Sequence, residues 1–168
     1  MDQQHDALTG LLNRRSMWTA APWLTPLAPD AALVSLDVIG LHAINAEFGH
    51  AFGDRLLAET AHRVQRVAGD SPVWRVGGDE FVIATRVAGA DDVRRFARHL
   101  RVAIEEPLDG TIVGVWMGAA IVSPRSQGVD DLWQRADGAL YRAMHQRTRD
   151  VVIDPDDTSD SAPQPPWQ

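Results

Sequence analysis

The sequence predicts an α+β domain, a two-layer α/β arrangement in which helices pack on a mainly antiparallel central sheet of about five strands. Three observations predict it. Apolar runs of strand length at 32–39 and 111–122 are separated by stretches with helical spacing of apolar residues. The stretch "VWRVGGDEFVIA" (73–84) sets two glycines between alternating runs, the pattern of a hairpin joining antiparallel strands. The other connections are long enough to hold helices, and hairpins mixed with crossovers suit a sheet covered by helices.

Each element can be justified in order. Residues 1–12 read as an irregular lead-in. Asn13 is placed to cap a helix through "RRSMWTAAPWL", which Pro22 should kink or end. "ALVSLDVI" (32–39) is nearly continuous and apolar, as a central strand is, with Ser35 and Asp37 interrupting it. In "GLHAINAEFGHAFGD", Gly40, Gly49 and Gly53 punctuate a short helix and a turn. Leu57, Ala61, Val64 and Ala68 recur at helical spacing over 51–68. The hairpin strands follow, near 73–76 and 80–87.

Residues 91–105 put Val93, Phe96, Ala97, Leu100, Ala103 and Ile104 on one helical face, with arginines opposite as a solvated surface. "TIVGVWMGAAIV" (111–122) has strand composition, weakened by Gly114 and Gly118. A further helix over 129–147 turns Leu132, Ala136, Leu140 and Ala143 inward. The short strand "DVVI" closes a single domain, 1–153. The polar, proline-rich stretch 154–168 reads as a disordered tail or linker.

Composition limits the function. A chain of 168 residues, 45% hydrophobic, can bury a real core. It has no apolar run of membrane-spanning length and no visible secretory signal. The absence of cysteine excludes disulfides, a thiolate metal site and a cysteine nucleophile. The expected location is therefore cytoplasmic. A formal charge of −7 argues against binding to nucleic acid or to an anionic membrane. All 16 cationic side chains are arginine.

Several polar groups stand where a purely structural sequence would not need them. An isolated carboxylate inside the apolar strand, Asp37, is expensive to bury and should be paired or lie at the strand's end. Asp79 and Glu80 stand on the hairpin beside Gly77 and Gly78. If its strands pair beside that of Asp37, three carboxylates converge. Clustered oxygen ligands without His or Cys suit Mg²⁺, with Mn²⁺ as a substitute. Asn45 and Asp54 flank the glycine-punctuated helix, and an amide with a carboxylate can read a guanine edge. Each signal alone also has a structural reading: a hairpin turn for 77–80, a satisfied strand-end acid for Asp37, caps and turns for Asn45 and Asp54. His42, His50 and His62 lack the spacing of a nitrogen metal site.

Together these stretches resemble a known family. "DALTGLLNRR" (6–15), "LDVIGLHAINAEFGHAFGD" (36–54) and "RVGGDEF" (75–81) are similar to the three successive signatures of the GGDEF family, the diguanylate cyclases. "RADGALYRAM" (135–144) resembles its final helix. The resemblance implies a fold similar to nucleotide cyclases and polymerase palms, which is ferredoxin-like. It implies that two GTP molecules, one on each subunit of a homodimer, condense into cyclic di-GMP. It also implies that Asp37, Asp79 and the carbonyl of Val38 hold Mg²⁺, and that Glu80 assists the metal and the deprotonation of the attacking hydroxyl. Asn45 and Asp54 would read guanine, and the N–H groups of Gly40 and Leu41 would meet phosphate. Gly77 and Gly78 would leave room for the α-phosphate.

The pattern breaks at several positions. Ile39 replaces the second Asp of the first strand, and Leu41-His42 the usual Phe-Lys pair. Met144 and Thr148 replace two phosphate-binding cations. Met144 reads as core, continuing the stripe of Leu140 and Ala143, while Arg147 and Arg149 lie close enough in sequence to lend a guanidinium. Arg66 and Asp70 are one residue too far apart for the family's Arg-x-x-Asp motif, whose aligned positions are Ala68 and Ser71, so no product inhibition by that route is expected. The rival reading is a catalytically silent module that binds GTP or a partner protein in signalling.

Overall fold

The computed structural model describes residues 3–20 and 30–155. In chain order the elements are β1 (Leu12–Asn13), a 3-10 turn (Arg14–Ser16), α1 (Met17–Ala20), β2 (Ala31–Val38), α2 (Leu41–Phe48) and α3 (His50–Ala68). There follow β3 (Val73–Arg75), β4 (Glu80–Arg86), α4 (Ala90–Ile104), β5 (Val115–Ile121), α5 (Val129–Gln146) and β6 (Val152–Ile153). The strands form one sheet in the order β1-β3-β4-β2-β5-β6.

The α+β expectation holds, in mixed form. β2 runs antiparallel to both β4 and β5, and β3 antiparallel to β4, whereas the edge pairs β1/β3 and β5/β6 are parallel. Six strands stand where about five are predicted, because Leu12 and Asn13, within or beside the irregular lead-in, pair with Trp74 and Arg75. Two residues are too few to leave a periodic signal.

β2 is buried at every position except half-buried Asp37, because both of its faces are covered. Leu36 and Val38 pack with Leu56, Leu57 and Val64 of α3 and with Leu100 of α4. Residues of the other parity, Ala31 and Leu33, pack with Leu132 and Ala136 of α5. Helices therefore cover both sides of the sheet, one layer more than the sequence suggests.

The long helices match their predicted faces. Val93, Ala97, Leu100 and Ile104 of α4 are buried, as are Leu132, Ala136, Ala139, Leu140 and Ala143 of α5. α5 presses so closely on β5 that a side chain at Gly118 would strike the backbone of Leu140 and Ala136. The glycine that weakens the strand by propensity is what admits the helix.

Other expectations need correction. Gly53 lies inside α3 and not in a turn; α2 and α3 are joined by Gly49 alone, at φ +83°. Asn13 does cap, accepting from Ser16 N at 3.2 Å, but it starts a 3-10 turn and the four-residue α1, and Pro22 lies outside the described residues. β5 begins at Val115, so 111–114 is not strand. Met144 is 41% exposed and is not core: it sits in the last turn of α5, beyond Ala143, the last buried position of the stripe. Of the predicted tail, Asp154 is anchored by Arg135 and Arg142 at 2.9 and 2.8 Å, and 156–168 lies outside the described residues. No described helix is long and apolar enough to cross a membrane.

Candidate active site

The end of β2 carries the first acid into the middle of the sheet. Asp37 stands opposite Glu80 of β4 on one side and Trp116 of β5 on the other. Residues directly opposite in an antiparallel pair project from the same face with Cβ atoms about 5 Å apart. The same parity as Leu33 puts Asp37 on the α5 side. Val38 N donates to Asp79 O at 3.1 Å, and Val76 N donates to Glu80 O at 3.0 Å. The hairpin turn is thereby fixed beside the strand end, and Asp37, Asp79 and Glu80 become neighbours.

Their electrostatics follow from that crowding. Burial pushes the Asp37 carboxyl up to about 7, helped by the negative charges of Asp79, Glu80 and Asp137. Glu80 is raised by burial and by Asp137 and Asp79, with Arg14 pulling the other way. Asp137, on α5, is itself raised by the protein packed around its carboxyl. The sequence reading missed Asp137; its signal was an acid one position after buried Ala136, on the helix that covers the strand of Asp37. Among the described residues no group of three or more acidic or imidazole side chains closes into a ready metal cage. The backbone supplies adjoining carboxylates, not a complete ligand sphere.

The two glycines of the hairpin play different parts. A Cβ on Gly77 would come within 2.7 Å of Glu80 Oε2, so the carboxylate of Glu80 folds over that bare position. A Cβ on Gly78 would meet nothing within 4 Å. Arg75 holds the corner from beneath, donating to the Gly78 carbonyl through Nε (3.2 Å) and Nη2 (2.7 Å) and to Asp6 Oδ1 through Nη1 (3.0 Å).

Beyond the strand end, Gly40 adopts φ +80° and starts α2 without any side-chain cap. The first helical bond there is Ile44 N to Gly40 O at 3.0 Å, so the helix leaves the N–H groups of its first turn, Leu41 included, for other acceptors. One turn along α2, Asn45 has its amide laid on Gly53 of α3, where any side chain would collide with it. Its Oδ1 is buried without a hydrogen-bond partner. Asp54, the next residue of α3, is exposed. Asn45 and Asp54 thus belong to one helical pair, and Gly53 is a third member that the sequence reading took for punctuation.

The cations near the missing phosphate ligands are arranged differently from the expectation. Arg149 does not point free: it pairs with Glu105, packs against Gly114 and lies 5.9 Å over the Trp116 ring. Arg147 closes α5 in a left-handed conformation, φ +50°. Arg66 faces Glu106 at 3.4 Å.

Comparison with known proteins identifies the family and the fold. Residues 3–150 match the family described as "Diguanylate cyclase, GGDEF domain". The chain is 31% identical over 152 residues to diguanylate cyclase VdcA of Vibrio cholerae, covering 86% of this chain and 45% of that protein. It spans only 18–25% of the length of several uncharacterized relatives. Among solved structures, the GGDEF domain of DgcB from Caulobacter crescentus, in complex with c-di-GMP, superposes with a TM-score of 0.81 at 24% identity, over 93% of this chain and 96% of that one. Diguanylate cyclase SiaD of Pseudomonas aeruginosa, in complex with its activator SiaC, gives 0.79 at 23% identity, over 90% and 62%.

Proposed function

The chain belongs to the GGDEF family of diguanylate cyclase domains, and on that footing we propose that two copies, each holding one GTP, condense them into cyclic di-GMP and two pyrophosphates. One observation carries the reading: Asp37 and Glu80 are register partners, with Asp79 hydrogen-bonded to the next residue of the same strand. Such a trio costs stability unless something positive comes between its members; the Asp37 and Glu80 carboxyls are raised first by burial and then by the carboxylates around them.

The donor set suits a hard divalent cation. Carboxylates with a main-chain carbonyl, and no nitrogen or sulfur, match the preference of Mg²⁺, which shares few protein ligands with water and substrate phosphate. Asp37, Asp79 and the Val38 carbonyl would hold it, with Glu80 beside them. When bound, it would make the ribose 3′-hydroxyl more acidic and absorb charge developing at the α-phosphorus. Glu80 takes the hydroxyl proton as the new oxygen–phosphorus bond forms and the bond to pyrophosphate breaks. The N–H groups of Gly40 and Leu41 receive phosphate oxygens. Asn45 and Asp54 bind guanine, and the unpartnered Asn45 Oδ1 supports this, being a buried acceptor in want of a donor. Each subunit provides half of the reaction, so turnover needs a homodimer holding both nucleotides in line.

Specific observations favour the second reading, a silent module that binds GTP or a partner protein. Met144 is exposed and apolar where a phosphate cation is missing, Thr148 carries no charge, and Arg149 is already engaged by Glu105. The relative solved with an activator protein makes a protein partner a reasonable counterpart for this domain too. Turnover separates the two readings. The chain at high concentration with GTP and Mg²⁺ should yield cyclic di-GMP, and Asp79→Ala and Glu80→Ala should abolish it. GTP bound without product at any concentration would leave the silent module.

A further inference from the structure

We propose that the cavity between α4 and the α5–β6 connection is a second, metal-independent binding site for a small phosphorylated anion. The cavity measures about 210 Å³. Arg94, Arg98 and Arg101 of α4 and Arg149 of the connection line it, over a floor of Ala97, Met117 and Val151. The sequence predicts nothing beyond a solvated face for these α4 arginines; the fold turns one row of them, spaced 4 and 3 residues apart, toward the connection.

This site is separate from the acids. Met117 packs in the cluster of Leu36, Val38 and Leu100, on the α3/α4 side of the sheet, whereas Asp37 projects toward α5. Its charge is unusual in a chain of net −7. Four guanidinium groups line the space with a single carboxylate, Asp150.

The surrounding guanidinium groups are held with different firmness. Arg94 meets Asp91 at 2.9 Å, both largely exposed. Arg101 reaches Asp150 only at 3.5 Å, and that carboxylate is 90% exposed; its firmer bond is to the Arg149 carbonyl at 3.1 Å. Arg149 pairs with Glu105. Arg98 has no acidic partner among those found for the described residues. The exposed Arg94–Asp91 pair contributes little, and planar guanidinium forks bind tetrahedral phosphate oxygens in pairs. The cavity suits a diphosphate or phosphate monoester, with the apolar floor left for a small organic group.

Inorganic pyrophosphate, titrated calorimetrically into the whole chain in EDTA at low salt, tests this without involving any metal-dependent nucleotide site. Saturable submillimolar binding is expected, weakened about tenfold in Arg98→Ala by loss of one charge-assisted contact, less in Arg98→Lys, and unchanged in Asp37→Asn. Arg98 is exposed, so the variant should fold as the parent does, which a circular-dichroism melt verifies. No saturation at millimolar pyrophosphate, equal affinity in Arg98→Ala, or equally tight binding of citrate would overturn the assignment. The experiment succeeds or fails independently of cyclic di-GMP synthesis.

Discussion

Arg75 donates to Asp6 at 3.0 Å with both side chains largely buried, 13% and 25% exposed, and the same guanidinium holds the Gly78 carbonyl at 2.7 Å. The N-terminal segment and the glycine corner are therefore tied by one side chain. Asp6 is further secured by Thr9, whose N and Oγ1 donate at 2.9 and 2.7 Å. Burial alone would raise the Asp6 carboxyl, but the bonds from Thr9 and Arg75 outweigh it and hold the carboxyl below its ordinary value. A carboxyl lowered by folding contributes stability that is present above its unfolded value and is lost as pH falls through the folded one. Asp6→Asn should cost about 1–3 kcal/mol at neutral pH, because a buried guanidinium loses its anion, and the deficit should shrink below about pH 4. Urea midpoints at several pH values measure it; a deficit independent of pH would contradict the assignment.

Asp37 behaves oppositely. Its carboxyl rises from 3.8 to about 7 on folding, so between those values the folded chain keeps a proton that the unfolded chain has released. Stability is therefore lost as pH climbs from about 4 to about 7. Without divalent metal, Asp37→Asn should be more stable than the parent by roughly 1–2 kcal/mol at about pH 8, less than the full shift would give because the half-buried carboxyl is screened by solvent. The advantage should vanish near pH 4. Chemical denaturation in EDTA decides it, and an Asn variant weaker than the parent at high pH would refute the account.

The legible parts of the molecule were those with a period. α3, α4 and α5 follow from apolar spacing, and β2 and the hairpin from apolar runs and a glycine pair. β1 was illegible because a two-residue parallel pairing depends on where Trp74 and Arg75 end up in space. The acid trio could be suspected from sequence, but its adjacency rests on register, which is a property of the assembled sheet. Gly53 and Gly118 read as breakers because composition records their conformational freedom and not their neighbours. In the fold one makes room for an amide and the other for a helix. Met144 misled because a helical stripe does not say where the sheet beneath it stops. Asp137 acts across the gap between a helix and a strand 100 residues away in sequence, a relation no local pattern encodes.

Gly77 provides a test that separates stability from chemistry. A methyl group there would come within 2.7 Å of Glu80 Oε2, the far end of a movable side chain, and 3.3 Å of its Cβ. No positive φ is involved, so Gly77→Ala should alter stability by less than about 1 kcal/mol. The Glu80 carboxylate must nevertheless leave the place it occupies over Gly77. Turnover of GTP should fall by about 10²-fold or more, in line with losing a positioned proton acceptor. Cyclic di-GMP formation at parental rates, with the melting temperature unchanged, would show that the position of Glu80 above Gly77 is immaterial.

Gly53 tests nucleotide recognition in the same way. The Asn45 amide rests where a Cβ on Gly53 would be, and its Oδ1 is buried without a partner. Gly53 lies in a helix, so alanine is favoured there by helix propensity, by about 1 kcal/mol. That gain and the displacement of the amide oppose each other in stability, but only the displacement acts on binding. Gly53→Ala should therefore fold at least nearly as well as the parent while its affinity for guanine nucleotides drops about tenfold or more, the cost of one lost buried hydrogen bond of about 1.5 kcal/mol. Asn45→Ala should give a similar loss, and the double variant little more, because both changes remove the same contact. Titration of GTP and ATP into the three variants measures this directly. Additive losses in the double variant would mean that Gly53 acts on the nucleotide by some route other than Asn45.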